Sequence, residues 1–115
     1  EFDRSARAAQ LDQLIRSIEN HVTVEALIVA GDLNLDWDNA EDRLLLLDFR
    51  DRLGLTRAEN GNQAERGWTV LDYIFFRNGT QTNLMVLDSG EDKTFVSGAV
   101  PLSDHPALFA RFSVY

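Results

Sequence analysis

The chain contains no cysteine. Structural disulfides, thiolate catalysis and Cys-ligated zinc are therefore excluded. Proline is scarce: Pro101 and Pro106 are the only two, and both fall in one short connection. Long apolar runs are missing too. Stretches such as Leu44 to Leu47 fall far short of the ~20 residues a membrane-spanning helix needs. Basic residues are outnumbered, with 11 Lys plus Arg against 19 Asp plus Glu, a formal net charge of -8. An acidic surface repels phosphate backbones, which argues against broad electrostatic binding of nucleic acid by this chain alone. No basic segment followed by an apolar one opens the sequence, so no signal peptide is read in it. The expectation is a soluble protein whose compartment is left open.

What remains is ordinary globular material. The 115 residues are 44% apolar and 26% charged, enough for one domain that buries roughly two-thirds of its unfolded surface. Ala8, Leu11, Leu14, Ile15 and Ile18 recur at helical spacing, predicting a helix near 5–19 with Asp3 or Ser5 as its cap. The run from Ala26 to Gly31 reads as a buried strand. A polar turn with three aspartates, Asp32, Asp36 and Asp38, leads into a helix over 40–53. Asp38 or Asn39 would cap its start, and Gly54 would supply the left-handed residue past its end. The stretch from Thr56 to Gly67 reads as a surface loop. Strands are expected near 69–76, 82–87 and 107–114, with Asn78-Gly79 as a hairpin turn and Ser89 to Ala99 as a loop. The alternation of helix and strand signals is that of an α/β or α+β fold, with one mixed sheet flanked by helices.

Three polar clusters stand at the ends of these strands. Asp32 and Asn34 are two apart, so on an extended segment they face one point beyond the strand, where α/β proteins bind ligands. The simpler account is an Asx turn closing the strand. Asp72 interrupts the hydrophobic run from Trp68 to Phe75, where a carboxylate is costly unless paired or hydrogen-bonded. Ser103-Asp104-His105 sits between the two prolines, which stiffen it. A carboxylate such as Asp72 beside His105 would fix its tautomer and raise its pKa. The other histidine, His21, follows the first helix and suits its C-terminal dipole. Trp37, beside Asp32, reads chiefly as packing under its loop. Asn78-Gly79-Thr80 matches an N-glycosylation sequon, which the hairpin turn explains better.

Taken together and in order, Val29-Ala30-Gly31-Asp32-Leu33-Asn34, Leu71-Asp72-Tyr73-Ile74-Phe75 and Ser103-Asp104-His105-Pro106 resemble the endonuclease/exonuclease/phosphatase family, the DNase I-like proteins. The resemblance runs from the first helix to the last strand, but covers only the C-terminal half of the family's domain. It implies half of a DNase I-like four-layer α/β-sandwich, with the N-terminal half supplied by a missing segment or a second chain. It also implies hydrolysis of a phosphodiester or phosphomonoester by in-line attack of water, with Mg²⁺ as cofactor and Mn²⁺ or Ca²⁺ as alternatives. Carried over, Asp32 would orient or deprotonate the water, and Asn34 would hydrogen-bond the phosphate. His105 would contact a phosphoryl oxygen as a cation or act as the base, and Asp72 would pair with it. Asp104 would lie near the metal. The family's chief metal-binding Glu has no counterpart here, so the chain alone is expected to be inactive. The substrate, whether a phospholipid head group, nucleic acid or another phosphate ester, is left open. The competing expectation is an inactive interaction module that pairs through an exposed apolar sheet.

Overall fold

In a computed structural model, which describes residues 4–58, 71–92, 94, 96–101, 103 and 107–115, two helices cover one face of a small sheet, and a long hairpin-like pair packs beside it. The architecture is α+β. Helix α1 spans Arg4–His21 and buries Leu11 and Ile15. Helix α2 spans Ala40–Leu53 and buries Leu46, Phe49 and Leu53. Asn39 caps α2, its side chain accepting from the Asp42 N–H at 3.0 Å. Gly54 adopts φ 64° just past its end, and Leu55 N–H returns to Arg50 O at 2.8 Å. This is the closure that a glycine at that position permits. At α1, Ser5 lies inside the helix rather than capping it, and Asp3 lies outside the described residues.

The two helices run side by side in the same direction. Arg4 near the start of α1 reaches Asp42 near the start of α2 at 2.8 Å, and Asp12 reaches Arg52 near its end at 3.0 Å. Arg77 meets the C-termini of both helices. Its guanidinium donates to Leu53 O at 2.8 Å and to Val22 O at 3.3 Å. A cation placed on carbonyls left over at helix ends is doubly favoured, by hydrogen bonding and by the dipole.

Beneath the helices, β1 (Leu27–Asp32), β2 (Thr56–Arg57) and β3 (Asp72–Arg77) form a sheet in the order β1-β3-β2. β1 and β2 flank β3, and each is antiparallel to it. They consequently run parallel to one another, joined by α2 as a crossover with β3 inserted between. The side-chain period of two splits β3 cleanly. Tyr73 and Phe75 turn to the helices and are buried, while Asp72, Ile74 and Phe76 turn to the other face and are half-buried. Phe49 meets Phe75 edge-on at 5.8 Å, and Tyr73 stacks on Phe75 at 6.0 Å. Each fully buried side chain here, Ile15, Leu35, Leu46, Phe49 and Phe75 among them, is worth about 1.5–3 kcal/mol of transfer free energy.

The second sheet is β4 (Leu84–Asp92) paired with β7 (Ala107–Val114), and a two-residue pair, β5 (Val96–Ser97) with β6 (Val100–Pro101), lies between them in sequence. Phe76 of β3 meets Phe112 of β7 edge-on at 5.2 Å, which joins the two larger sheets.

Several expectations are corrected. The described strands form three antiparallel sheets, not one mixed sheet. Asn78-Gly79 does not make a β3–β4 hairpin, because the turn folds down onto the segment before β1. Gly79 N–H donates to Thr82 O and Thr80 N–H to Val24 O, both at 2.8 Å, and Asn78 Oδ1 accepts from Leu84 N–H. A Cβ at Gly79 would fall 2.6 Å from Val24 O, so only glycine permits this approach. β4, released from β3, pairs with β7 and runs on to Asp92, through residues read as loop. Phe109 lies over Gly90 there, 3.5 Å from where a Cβ would stand. The start of the loop after α2 is strand β2, because Thr56 and Arg57 complete the edge of β3.

Candidate functional site

The site is built at the carboxyl end of β1. Gly31 carries φ 152° and Asn34 φ 56°, so two unusual backbone conformations bracket Asp32. Glycine takes the first without strain, and asparagine is among the few side-chain-bearing residues that take the second readily. The left-handed Asn34 turns its N–H back onto Asp32 Oδ1 at 2.8 Å. The two residues are thus joined by an Asx turn, not displayed side by side on an extended segment. Leu33 N–H donates to Leu71 O at 3.0 Å, extending the β1–β3 ladder past the strand ends.

Asp32 is the register partner of Asp72. Directly opposed residues share a face, and this face is the one turned away from the helices. Asp72 is the first residue of β3 and half-buried, not enclosed in the middle of the strand. The ladder's end leaves it partly open to water, which is how a carboxylate survives beside Tyr73 and Ile74. Two of the expected site residues are therefore brought together by register, and Asn34 is tied to one of them. Asp104 and His105 lie outside the described residues, so the expected pairing of Asp72 with His105 does too. Ser103 is exposed. His21 ends α1 as expected, with Nδ1 2.8 Å from Ser17 O.

The loop from Leu33 to Asn39 is held from below. Tyr73 Oη donates to Leu35 O, and burial pushes the phenol far above its ordinary range. Asp36 Oδ1 accepts from Asp38 N–H at 2.9 Å, a second Asx turn. Asp42 is 5% exposed. It accepts from Arg4 Nε at 2.8 Å and from Asp36 N–H at 3.1 Å. Burial by itself would raise its carboxyl, but those hydrogen bonds and the Arg4 charge outweigh it and hold the group below the usual carboxylate range. Trp37 packs half-buried against the core, with its ring 6.4 Å from Tyr73, and Arg43 donates to its carbonyl at 2.9 Å.

Asp42, Tyr73 and Arg57 are the residues that sequence reasoning passed over. The spacing Asn39-x-x-Asp42 was a signal for the first, since it places a carboxylate three residues after a cap. Tyr73 and Arg57 gave none, because their roles depend on which strands neighbour each other.

Among the described residues no group of three or more His, Cys, Asp or Glu side chains converges to hold a metal ion. Asp32 and Asp72 offer the oxygen donors a hard divalent cation takes, but such a cation wants about six. No helix among the described residues is long and apolar enough to cross a membrane. Set against protein-family models, curated proteins and solved structures, the chain matches none of them.

Proposed function

We propose that this chain is the C-terminal half of a metal-dependent phosphoesterase domain of the endonuclease/exonuclease/phosphatase type. The observation that carries the reading is the direct opposition of Asp32 and Asp72 at the carboxyl end of β1. Two carboxylates set opposite one another repel, and together they place oxygen donors at the carboxyl end of a strand, where ligands of sheet proteins bind. In this reading Asp32 orients or deprotonates the attacking water. Asn34, fixed by its left-handed backbone, presents its amide to the phosphate. Asp72 holds the His105 ring, and Asp104 completes the oxygen donors. Mg²⁺, when bound, supplies neutralisation of charge on the phosphoryl oxygens. The remaining ligands would come from a further segment or a second chain that covers the apolar side of the sheet, where Ile28 is 48% exposed.

The exposed Ile28, Met85, Leu87 and Phe109 also favour a second reading, an inactive module that binds a partner through its apolar surface. One assay separates the two. The complete protein is given a chromogenic phosphodiester, a plasmid and sphingomyelin, each with and without EDTA. The enzyme reading expects metal-dependent hydrolysis of at least one, lost in Asp32→Ala. Activity that survives both EDTA and Asp32→Ala would refute it, and no hydrolysis of any phosphate ester would favour the module. The 115-residue chain by itself is expected to be inactive.

A further inference from the structure

On the helix side of the sheet, a surface cleft of about 320 Å³ is lined by Trp37, Arg50, Leu55, Thr56 and Arg57. In a chain of net charge -8, this lining holds two guanidinium groups and, among the described residues, no carboxylate. Arg57 is positioned by stacking. Its guanidinium carbon lies 4.6 Å from the centre of the Trp37 ring and 5.1 Å from that of Tyr73. A planar cation held on two rings has surrendered its rotamer freedom during folding, so little remains to be lost when it meets a ligand. Arg50 engages Asp51 through Nε at 2.9 Å, and a guanidinium carries five N–H donors in all. Thr56, the register partner of Phe76, turns its side chain to the other face and borders the cleft at the start of β2. Leu55 supplies an apolar wall.

We propose that this cleft is an anion site that takes the phosphate group of a small phosphate ester. Two guanidinium groups, with their several N–H donors, match a dianion with several acceptor oxygens better than they match a single carboxylate. The volume is at the small end of ligand sites, which suits a phosphate with a compact substituent. The site is distinct from Asp32 and Asp72. Arg57 is the register partner of Phe75 and shares its helix-facing side, whereas the two carboxylates occupy the opposite face. The proposal therefore does not rest on the phosphoesterase reading, and either can fail alone.

The test is an NMR titration of the 115-residue chain with inorganic phosphate, adenosine monophosphate and phosphocholine, each against sodium chloride at matched ionic strength. Saturable shifts are expected at the Arg50 and Arg57 Nε–H and the Trp37 indole N–H, without matching shifts at Asp32 and Asp72. Tighter binding of the nucleotide assigns a nucleoside source, tighter binding of phosphocholine a head group, and equal binding in all arms free phosphate. Arg57→Lys keeps the charge but loses the planar stack, and should weaken binding by about tenfold. Arg50→Ala tests the second cation without touching the aromatic stack. Shifts that follow chloride equally, that never saturate, that map elsewhere, or that persist unchanged in both variants overturn the proposal.

Discussion

Asp32 of β1 lies directly across the antiparallel ladder from Asp72 of β3, on the sheet face turned away from both helices. Like charges directly opposed across a ladder destabilise it, by about 0.2–1 kcal/mol. Asp72→Asn should therefore raise stability by that amount in chemical denaturation at low salt. The gain should shrink as salt screens the pair. The same substitution should lower turnover of the complete enzyme more than substrate binding. A lower denaturation midpoint in Asp72→Asn would mean that other contacts of the Asp72 carboxylate outweigh its repulsion from Asp32.

A different carboxylate works for stability. Asp42 ties α1 to α2 through Arg4 and to the Leu33–Asn39 loop through the Asp36 N–H. Its pKa is lowered on folding from an ordinary value of 3.8. A depressed carboxyl contributes stability that is present above the unfolded value and lost as pH falls through the folded one. The contribution is thus complete at neutral pH and disappears in acid below about pH 4. Arg4→Ala should cost about 1–2 kcal/mol at pH 7, discounted because Arg4 is one-third exposed. It should also flatten the acid limb of a stability–pH curve. An acid limb unchanged by Arg4→Ala would show that other groups drive acid unfolding.

How much of this was legible in the sequence follows from how local each signal is. α1, α2, β1 and β7 were readable because period and capping are properties of a single segment, and Asn39 and Gly54 do what their types favour. The partner of β4 was not. Asn78-Gly79 carries a hairpin signal, yet the close approach of Gly79 to the Val24–Ala26 backbone diverts the turn. Nothing between residues 78 and 84 encodes that approach. Asp32 and Asp72 were each singled out alone, but their opposition is a fact of register, which one strand cannot state. Asn34 was legible both as an extended neighbour of Asp32 and, more simply, as the Asx turn closing the strand; the structure has the turn, because left-handed asparagine is tolerated where most residues are not.

Tyr73 gives an alkaline counterpart to Asp42. Its hydroxyl donates to Leu35 O from a buried position, and desolvation raises the phenol from 10.0. An acid whose folded pKa is raised contributes stability that is full below the unfolded value and is lost as pH rises toward the folded one. The chain should lose stability above about pH 10, with Tyr73 ionising only as the fold opens. Tyr73→Phe removes this alkaline loss, but leaves the Leu35 carbonyl unsatisfied at a cost of about 1–2 kcal/mol at neutral pH. Absorbance of phenolate measured alongside circular dichroism tests it. Ionisation of both tyrosines before any loss of secondary structure would refute the buried hydrogen bond.

Arg77 makes the strongest single claim about how the layers are held. It is the last residue of β3, yet it serves both helices at once, through Leu53 O and Val22 O. Leu53 O lies in the last turn of α2 and Val22 O just past the end of α1, where carbonyls are left without intrahelical partners, and a cation there also meets two helix dipoles. Hydrogen bonds from a charged group are worth about 1.5–3 kcal/mol. Arg77→Met keeps most of the apolar stem and removes the donors, so it should destabilise by about 1–3 kcal/mol. Arg77→Lys should recover part of that loss, because an ammonium can reach one carbonyl but cannot fork to two. Hydrogen exchange locates the effect. Amides in the last turns of α1 and α2 should lose protection together in Arg77→Met, while the β4–β7 pair is spared. Loss of protection confined to one helix would show that Arg77 caps that helix alone and does not clamp the two C-termini to the sheet.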